Sequence, residues 1–86
     1  MLVFKSSRVV VKFIEDLPAK QFRQVWLKVL DLLATPYPTD TSKLQGYDYY
    51  RVDFSEYRIV YQVIEETTLE LILIGKRNRS PAQVKN

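Results

Sequence analysis

Tyr49-Tyr50-Arg51-Val52-Asp53-Phe54-Ser55-Glu56-Tyr57-Arg58-Ile59-Val60-Tyr61-Gln62-Val63-Ile64 decides how the rest of this chain must be arranged. Tyr50, Val52 and Phe54 alternate with Tyr49, Arg51 and Asp53, so the first part is a strand with one apolar face. Ser55-Glu56 is a two-residue turn, although it lacks the glycine that primed hairpin turns prefer. Tyr57 to Ile64 is the returning strand. The short loop sets the register: Phe54 opposes Tyr57, Asp53 opposes Arg58, Val52 opposes Ile59 and Arg51 opposes Val60. Arg51, Asp53 and Arg58 therefore share one face. The other, with Val52, Phe54, Tyr57, Ile59, Tyr61 and Val63, is apolar enough to receive helices.

After a turn at Glu65 to Thr68, Leu69-Glu70-Leu71-Ile72-Leu73-Ile74 is apolar on both faces apart from Glu70, which predicts a central strand. Ahead of the hairpin, Leu2-Val3-Phe4 predicts a first or edge strand, broken at Ser6-Ser7. Arg8 to Leu17 carries two signals. Val9, Val10 and Val11 favour a strand, whereas Val10, Phe13, Ile14 and Leu17 form a helical stripe with Ser7 as N-cap. The stripe favours helix. Pro18 suits the first position of a second helix, which runs from Ala19 to Ala34 with Phe22, Val25, Trp26, Val29, Leu30 and Leu33 on one face. Trp26 is expected as a core anchor. Thr35-Pro36-Tyr37-Pro38 ends that helix, and Pro38 to Gly46 reads as a polar connection.

Composition narrows the chemistry. Eighty-six residues make one domain, expected over residues 1–86. There is no cysteine and no histidine, which removes disulfides, thiolate sites and the usual neutral-pH acid–base side chain. Thirteen Lys+Arg against ten Asp+Glu give a net charge of +3. Lys76, Arg77, Arg79 and Lys85 crowd the C-terminal stretch with no acid among them, the local charge pattern expected of a nucleic-acid contact. No apolar run approaches the ~18 residues of a membrane span, and there is no signal-peptide pattern. The cytoplasm is the expected location, with no membrane partner.

Tyr57 to Ile64, followed by Leu73-Ile74-Gly75-Lys76-Arg77-Asn78, resembles the signature of the RelE/ParE superfamily, the toxins of type II toxin–antitoxin pairs. Lys43-Leu44-Gln45-Gly46 resembles the K-L-x-G segment ahead of that family's first hairpin strand. The resemblance spans nearly the whole chain. It implies an α+β fold, with an N-terminal strand and a two-helix antiparallel hairpin packed on a small antiparallel sheet, and so supports helix at Arg8 to Leu17. RelE-like members cut mRNA in the ribosomal A site without metal or cofactor. They are held inactive in a hetero-oligomer with a cognate antitoxin. ParE-like members inhibit DNA gyrase instead. Arginine at both Arg58 and Arg77 is closer to the RelE branch. A relative that keeps the fold and only binds its antitoxin is the third alternative.

Metal-free RNA cleavage uses the ribose 2′-hydroxyl to attack the adjacent phosphate, and cations stabilise the charge that builds there. Arginine suits this role, being always charged and presenting a planar fork of donors. The resemblance makes Arg58 the candidate for the scissile phosphate, Arg77 a phosphate clamp and Arg51 a supporting catalytic cation. Lys76 and Arg79 are candidate RNA-backbone contacts, and Asp53 is counted with them among the RNA-binding residues. Asp53 stands where the family pattern has a basic residue, and as a cross-strand partner it is expected to orient Arg58. The family's tyrosine or other acid–base residue after the Lys-Arg pair is missing, since Asn78 to Asn86 contains no tyrosine, histidine or acid. General acid–base help is worth about 10²–10⁴ in rate. Asp53 or Glu56 as base, with Tyr49 or Lys76 assisting, are the substitutes within the chain.

Overall fold

The computed structural model describes residues 1–77. Along them run β1 (Val3–Ser6), α1 (Arg8–Glu15), α2 (Ala19–Ala34), β2 (Thr41–Lys43), β3 (Tyr50–Phe54), β4 (Tyr57–Ile64) and β5 (Thr68–Lys76). The strands form one sheet in the order β1-β5-β4-β3-β2. Both helices pack on one of its faces, and the core lies between the two layers.

The helices start where the side chains permit. Ser7 Oγ accepts the Val10 N–H at 3.2 Å, which satisfies one of the orphan donors of the first turn. Val10 and Ile14 are the buried positions of α1, so helical spacing overrides the strand preference of the valines. Pro18 sits one place earlier than expected, as the N-cap of α2 with φ −56°. Its carbonyl accepts the Phe22 N–H at 2.8 Å.

The buried stripe of α2 is Val25, Val29, Leu32 and Leu33. Phe22 and Leu30, expected inside, are 37% and 48% exposed. The helix carries two apolar stripes, and the one that includes Leu32 faces the sheet. Trp26 lies between them, partly buried against the core, with Phe4 edge-on at 5.3 Å and Phe22 at 6.3 Å.

The hairpin register is the one its turn dictates, with Asp53 opposite Arg58 and Phe54 opposite Tyr57. Ser55 supplies the positive φ, 52°, that primed turns place on glycine. Elsewhere the sheet departs from expectation. Thr41–Lys43, read as connection, adds a fifth strand against β3. The sheet is also mixed: β1 pairs with β5 in parallel, from Val3 opposite Thr68 to Ser6 opposite Leu71. The helical crossover after β1 makes that direction possible.

A bulge interrupts β5. Val60 faces Leu73 and Tyr61 faces Leu71, so Ile72 is the extra residue. The insertion flips the side-chain alternation. It lets Leu69 and Leu71 on one side of the bulge, and Ile74 on the other, all enter the core.

Tyr57 and Tyr61 are the largest fully buried side chains. Tyr61 Oη donates to the Pro36 carbonyl, which leaves Thr41 Oγ1 to donate to Tyr61 at 3.3 Å. This ties the connection after α2 to the middle of the sheet. Burial pushes the Tyr61 phenol above its ordinary range. Among the described residues no helix is long and apolar enough to cross a membrane.

Candidate functional site: an arginine cluster on the open face of the sheet

Alternation places Arg51 and Asp53 of β3 and Arg58, Val60 and Gln62 of β4 on the face turned away from the helices. Leu73 and Gly75 of β5 lie beside Val60 and Arg58. Val60 is only 7% exposed yet lies outside the core cluster. It is shielded from above the sheet by its neighbours on this face. Gly75, directly opposite Arg58, contributes no side chain, and a Cβ there would meet nothing within 4 Å. The space beside the Arg58 guanidinium is therefore open.

Arg58 is held by Asp53 through two hydrogen bonds, Nε to Oδ1 at 2.9 Å and Nη2 to Oδ2 at 3.3 Å. This side-on pairing uses one edge of the guanidinium. Among the described residues, the end-on edge, formed by Nη1 and the second Nη2 proton, carries no side-chain partner and can meet two oxygens of an anion such as phosphate. The hydrogen bond from Arg58 holds the Asp53 carboxyl below the usual carboxylate range, and the charges of Arg58, Arg51 and Arg77 act in the same direction. The same hydrogen bond raises Arg58. The charges of three arginines thus act on one carboxylate, and one of the three, Arg58, is in contact with it.

Arg77 reaches the site from the end of β5. Its Nη1 donates to the Ser55 carbonyl at 3.0 Å, and its backbone N–H donates to the Glu56 carbonyl at 2.7 Å. The β3–β4 turn thereby fixes the segment after β5. Lys76 is placed differently. It opposes Tyr57, so its side chain leaves the sheet on the helix side, where Nζ lies 3.7 Å from Glu56 Oε2. The structure brings Arg51, Asp53, Arg58 and Arg77 together and sets Lys76 at the rim. Arg79 lies outside the described residues.

The cluster can bind an anion and stabilise added negative charge on it. Proton transfer is less well served. Asp53 is ionised, committed to Arg58 and weakly basic, and Glu56 sits in the turn beside Lys76. Among the described residues no group of three or more carboxylates is placed to hold a metal ion. Sequence reasoning missed the part played by the Ser55 and Glu56 carbonyls in holding Arg77. Backbone acceptors leave no residue-type signal.

Because Asp53 titrates below its ordinary range, the pair stabilises the fold above that range. Its contribution is lost as pH falls through the lower folded value, below about 4. The side chains are 41% and 29% exposed, which limits the effect to about 0–1 kcal/mol. Asp53→Asn is therefore expected to flatten the acid limb of a plot of Tm against pH. A steeper acid loss in the variant would contradict the assignment.

Comparisons with known proteins agree with the fold. A family model described as ParE toxin of type II toxin–antitoxin system, parDE, matches residues 6–81. No curated protein matches the chain. Solved structures do. The isolated E. coli RelE toxin is 29% identical, with a TM-score of 0.80 over 95% of this chain and 90% of that one. The archaeal RelE–RelB complex from Pyrococcus horikoshii OT3 is 27% identical, with a TM-score of 0.80 over 92% of this chain and 98% of that one. The intact E. coli RelBE toxin–antitoxin complex is 28% identical, with a TM-score of 0.75 over 92% and 100%. With three-quarters or more of its length matched, the chain belongs to the ParE toxin family of type II toxin–antitoxin systems, within the RelE/ParE superfamily.

Proposed function

We propose that this toxin is a metal-independent endoribonuclease that cuts mRNA in the ribosomal A site, in the cytoplasm, and that a cognate antitoxin neutralises it. The observation that carries the reading is the Arg58 guanidinium, fixed by Asp53 with its end-on edge open and Arg51 and Arg77 nearby. Arg58 binds the scissile phosphate and stabilises the charge that develops as the 2′-oxygen attacks. Arg77 clamps the same phosphate or the leaving group. Arg51 raises the local potential, Lys76 contacts the RNA backbone at the rim, and Arg79, outside the described residues, is a further candidate backbone contact. Charge stabilisation of this kind is often the largest catalytic contribution an enzyme makes. It is the one this chain supplies best.

Two observations support an antitoxin partner. Similar solved structures include toxin–antitoxin complexes. Phe22, Leu27 and Leu30 also lie exposed on α2, an apolar strip of the kind that marks a protein contact.

Induced expression in a bacterial host is expected to arrest growth, and co-expression of the adjacent antitoxin gene to restore it. Combined Arg58→Ala and Arg77→Ala substitution should abolish the arrest. Undiminished toxicity of that variant would contradict the site. The ParE family match favours a second reading, inhibition of DNA gyrase. Inhibition of supercoiling by the purified chain, with cellular mRNA left intact, would select it.

A further inference from the structure

We propose that Tyr47 and Tyr49 form a stacking subsite for a nucleobase of single-stranded RNA, beside the arginine cluster. The inference rests on the RNA-binding reading above and adds a second contact to it. Tyr47 and Tyr49 lie with ring planes 10° apart and centroids 5.9 Å apart, an offset stack. Tyr47 is 64% exposed, and neither ring belongs to the hydrophobic core or to the residues packed against it. The other tyrosine pairs differ. Tyr50 packs on Tyr61 at 6.0 Å and on Tyr37 at 4.9 Å, against the core. Two rings stacked outside the core, one exposed and one half-buried, add little to it, which leaves the exposed face of the stack to be explained.

Local backbone chemistry builds the stack. Tyr47 N–H donates to the Leu44 carbonyl at 3.2 Å, closing a turn over Leu44 to Tyr47. Gly46 is its third residue with φ +84°, the left-handed position that type II turns assign to glycine. A Cβ on Gly46 would meet nothing within 4 Å, so conformation and not space demands the glycine. Leu44 N–H donates to the Tyr49 carbonyl at 2.9 Å, which extends the β2–β3 ladder by one step. Tyr49 therefore keeps the alternation of β3 and stands on the face of Arg51 and Asp53.

Along that face Tyr49, Arg51 and Asp53 follow at steps of about 6.7 Å, two residues of strand each. Arg58 is next to Asp53 on β4. A single strand whose phosphates engage Arg58 and Arg51 brings a neighbouring base to the tyrosines. Sequence-tolerant stacking beside a cationic track is how single strands are held. Asp48, the nearby anion, is paired with Lys43 at 3.8 Å, which moderates its repulsion of the strand.

The test is fluorescence anisotropy at fixed salt. Its probes are a short labelled single-stranded RNA and a ribose-phosphate oligomer of equal length without bases. The parent is expected to prefer the base-bearing strand. The Tyr47→Ala/Tyr49→Ala variant should lose about 5- to 150-fold for that strand, the worth of one stacked base. It should bind the baseless oligomer as the parent does. Tyr47→Phe, which keeps the ring, should retain the preference, and Arg58→Ala should weaken both oligomers alike. Equal affinity of parent and tyrosine variants for RNA, with Arg58→Ala weakened, overturns the stacking subsite alone. A parent that binds neither oligomer overturns the RNA reading and the subsite with it.

Discussion

Arg58→Ala is expected to lower the rate of mRNA cleavage about 10²–10³-fold, the usual cost of removing one preorganised donor to a developing charge. The orientation of Arg58 is fixed by two side-chain hydrogen bonds, both to Asp53. The side chain therefore loses little freedom on meeting phosphate. Arg58→Lys should restore only a small part of the rate. An ammonium is a point charge without the second edge that lets one side of the fork meet Asp53 while another meets the ligand. The fold should survive either change. The pair is 41% and 29% exposed, so its loss costs about 0–1 kcal/mol. Asp53 also keeps the fields of Arg51 and Arg77. Single-turnover cleavage of translated mRNA, alongside thermal melts, separates the two effects. Full activity in Arg58→Ala would remove this residue from the site.

Ile59→Ala, one residue along, is expected to act through stability and not through chemistry. Ile59 is fully buried between sheet and helices. Truncating a buried isoleucine costs about 2–5 kcal/mol, lost transfer energy plus the cavity left behind. Domains of this size have about 5–15 kcal/mol in total, and each kcal/mol lowers Tm by about 4–8 °C. The variant should melt at least about 10 °C lower. Leu73→Ala is the matched control. Leu73 is also an apolar strand residue, but it is 57% exposed on the open face, so its loss should stay within about 0.5 kcal/mol. Equal destabilisation by the two would contradict the placement of the core.

That comparison also marks what could be read from the residues alone. The pairing of β3 with β4 was legible because a two-residue turn leaves one register, and with it came the Asp53–Arg58 pair. Ser7 announced α1 by its capping chemistry. Leu73 and Leu71 could not be told apart, because strict alternation puts both on one face. The bulge at Ile72 separates them, and no residue there signals it. The same insertion sets which face Lys76 takes. Thr41–Lys43 is too short and polar to show an alternating pattern, and it is a strand only because the β3 edge is open to it. On α2, Leu30 and Leu32 are equally apolar, so the helix alone does not say which stripe meets the sheet. Arg77 was legible as a cation, but its anchors at Ser55 and Glu56 are carbonyls, which every residue has.

Under the proposed function, the arginine cluster on the open sheet face cuts mRNA held in the ribosome. Primer extension on a defined mRNA, translated in a reconstituted system with the purified chain, tests it most directly. New 5′ ends are expected at A-site positions, lost in Arg58→Ala and absent when ribosomes are omitted. Intact mRNA with the parent protein, under conditions where the same preparation binds its antitoxin, would contradict it.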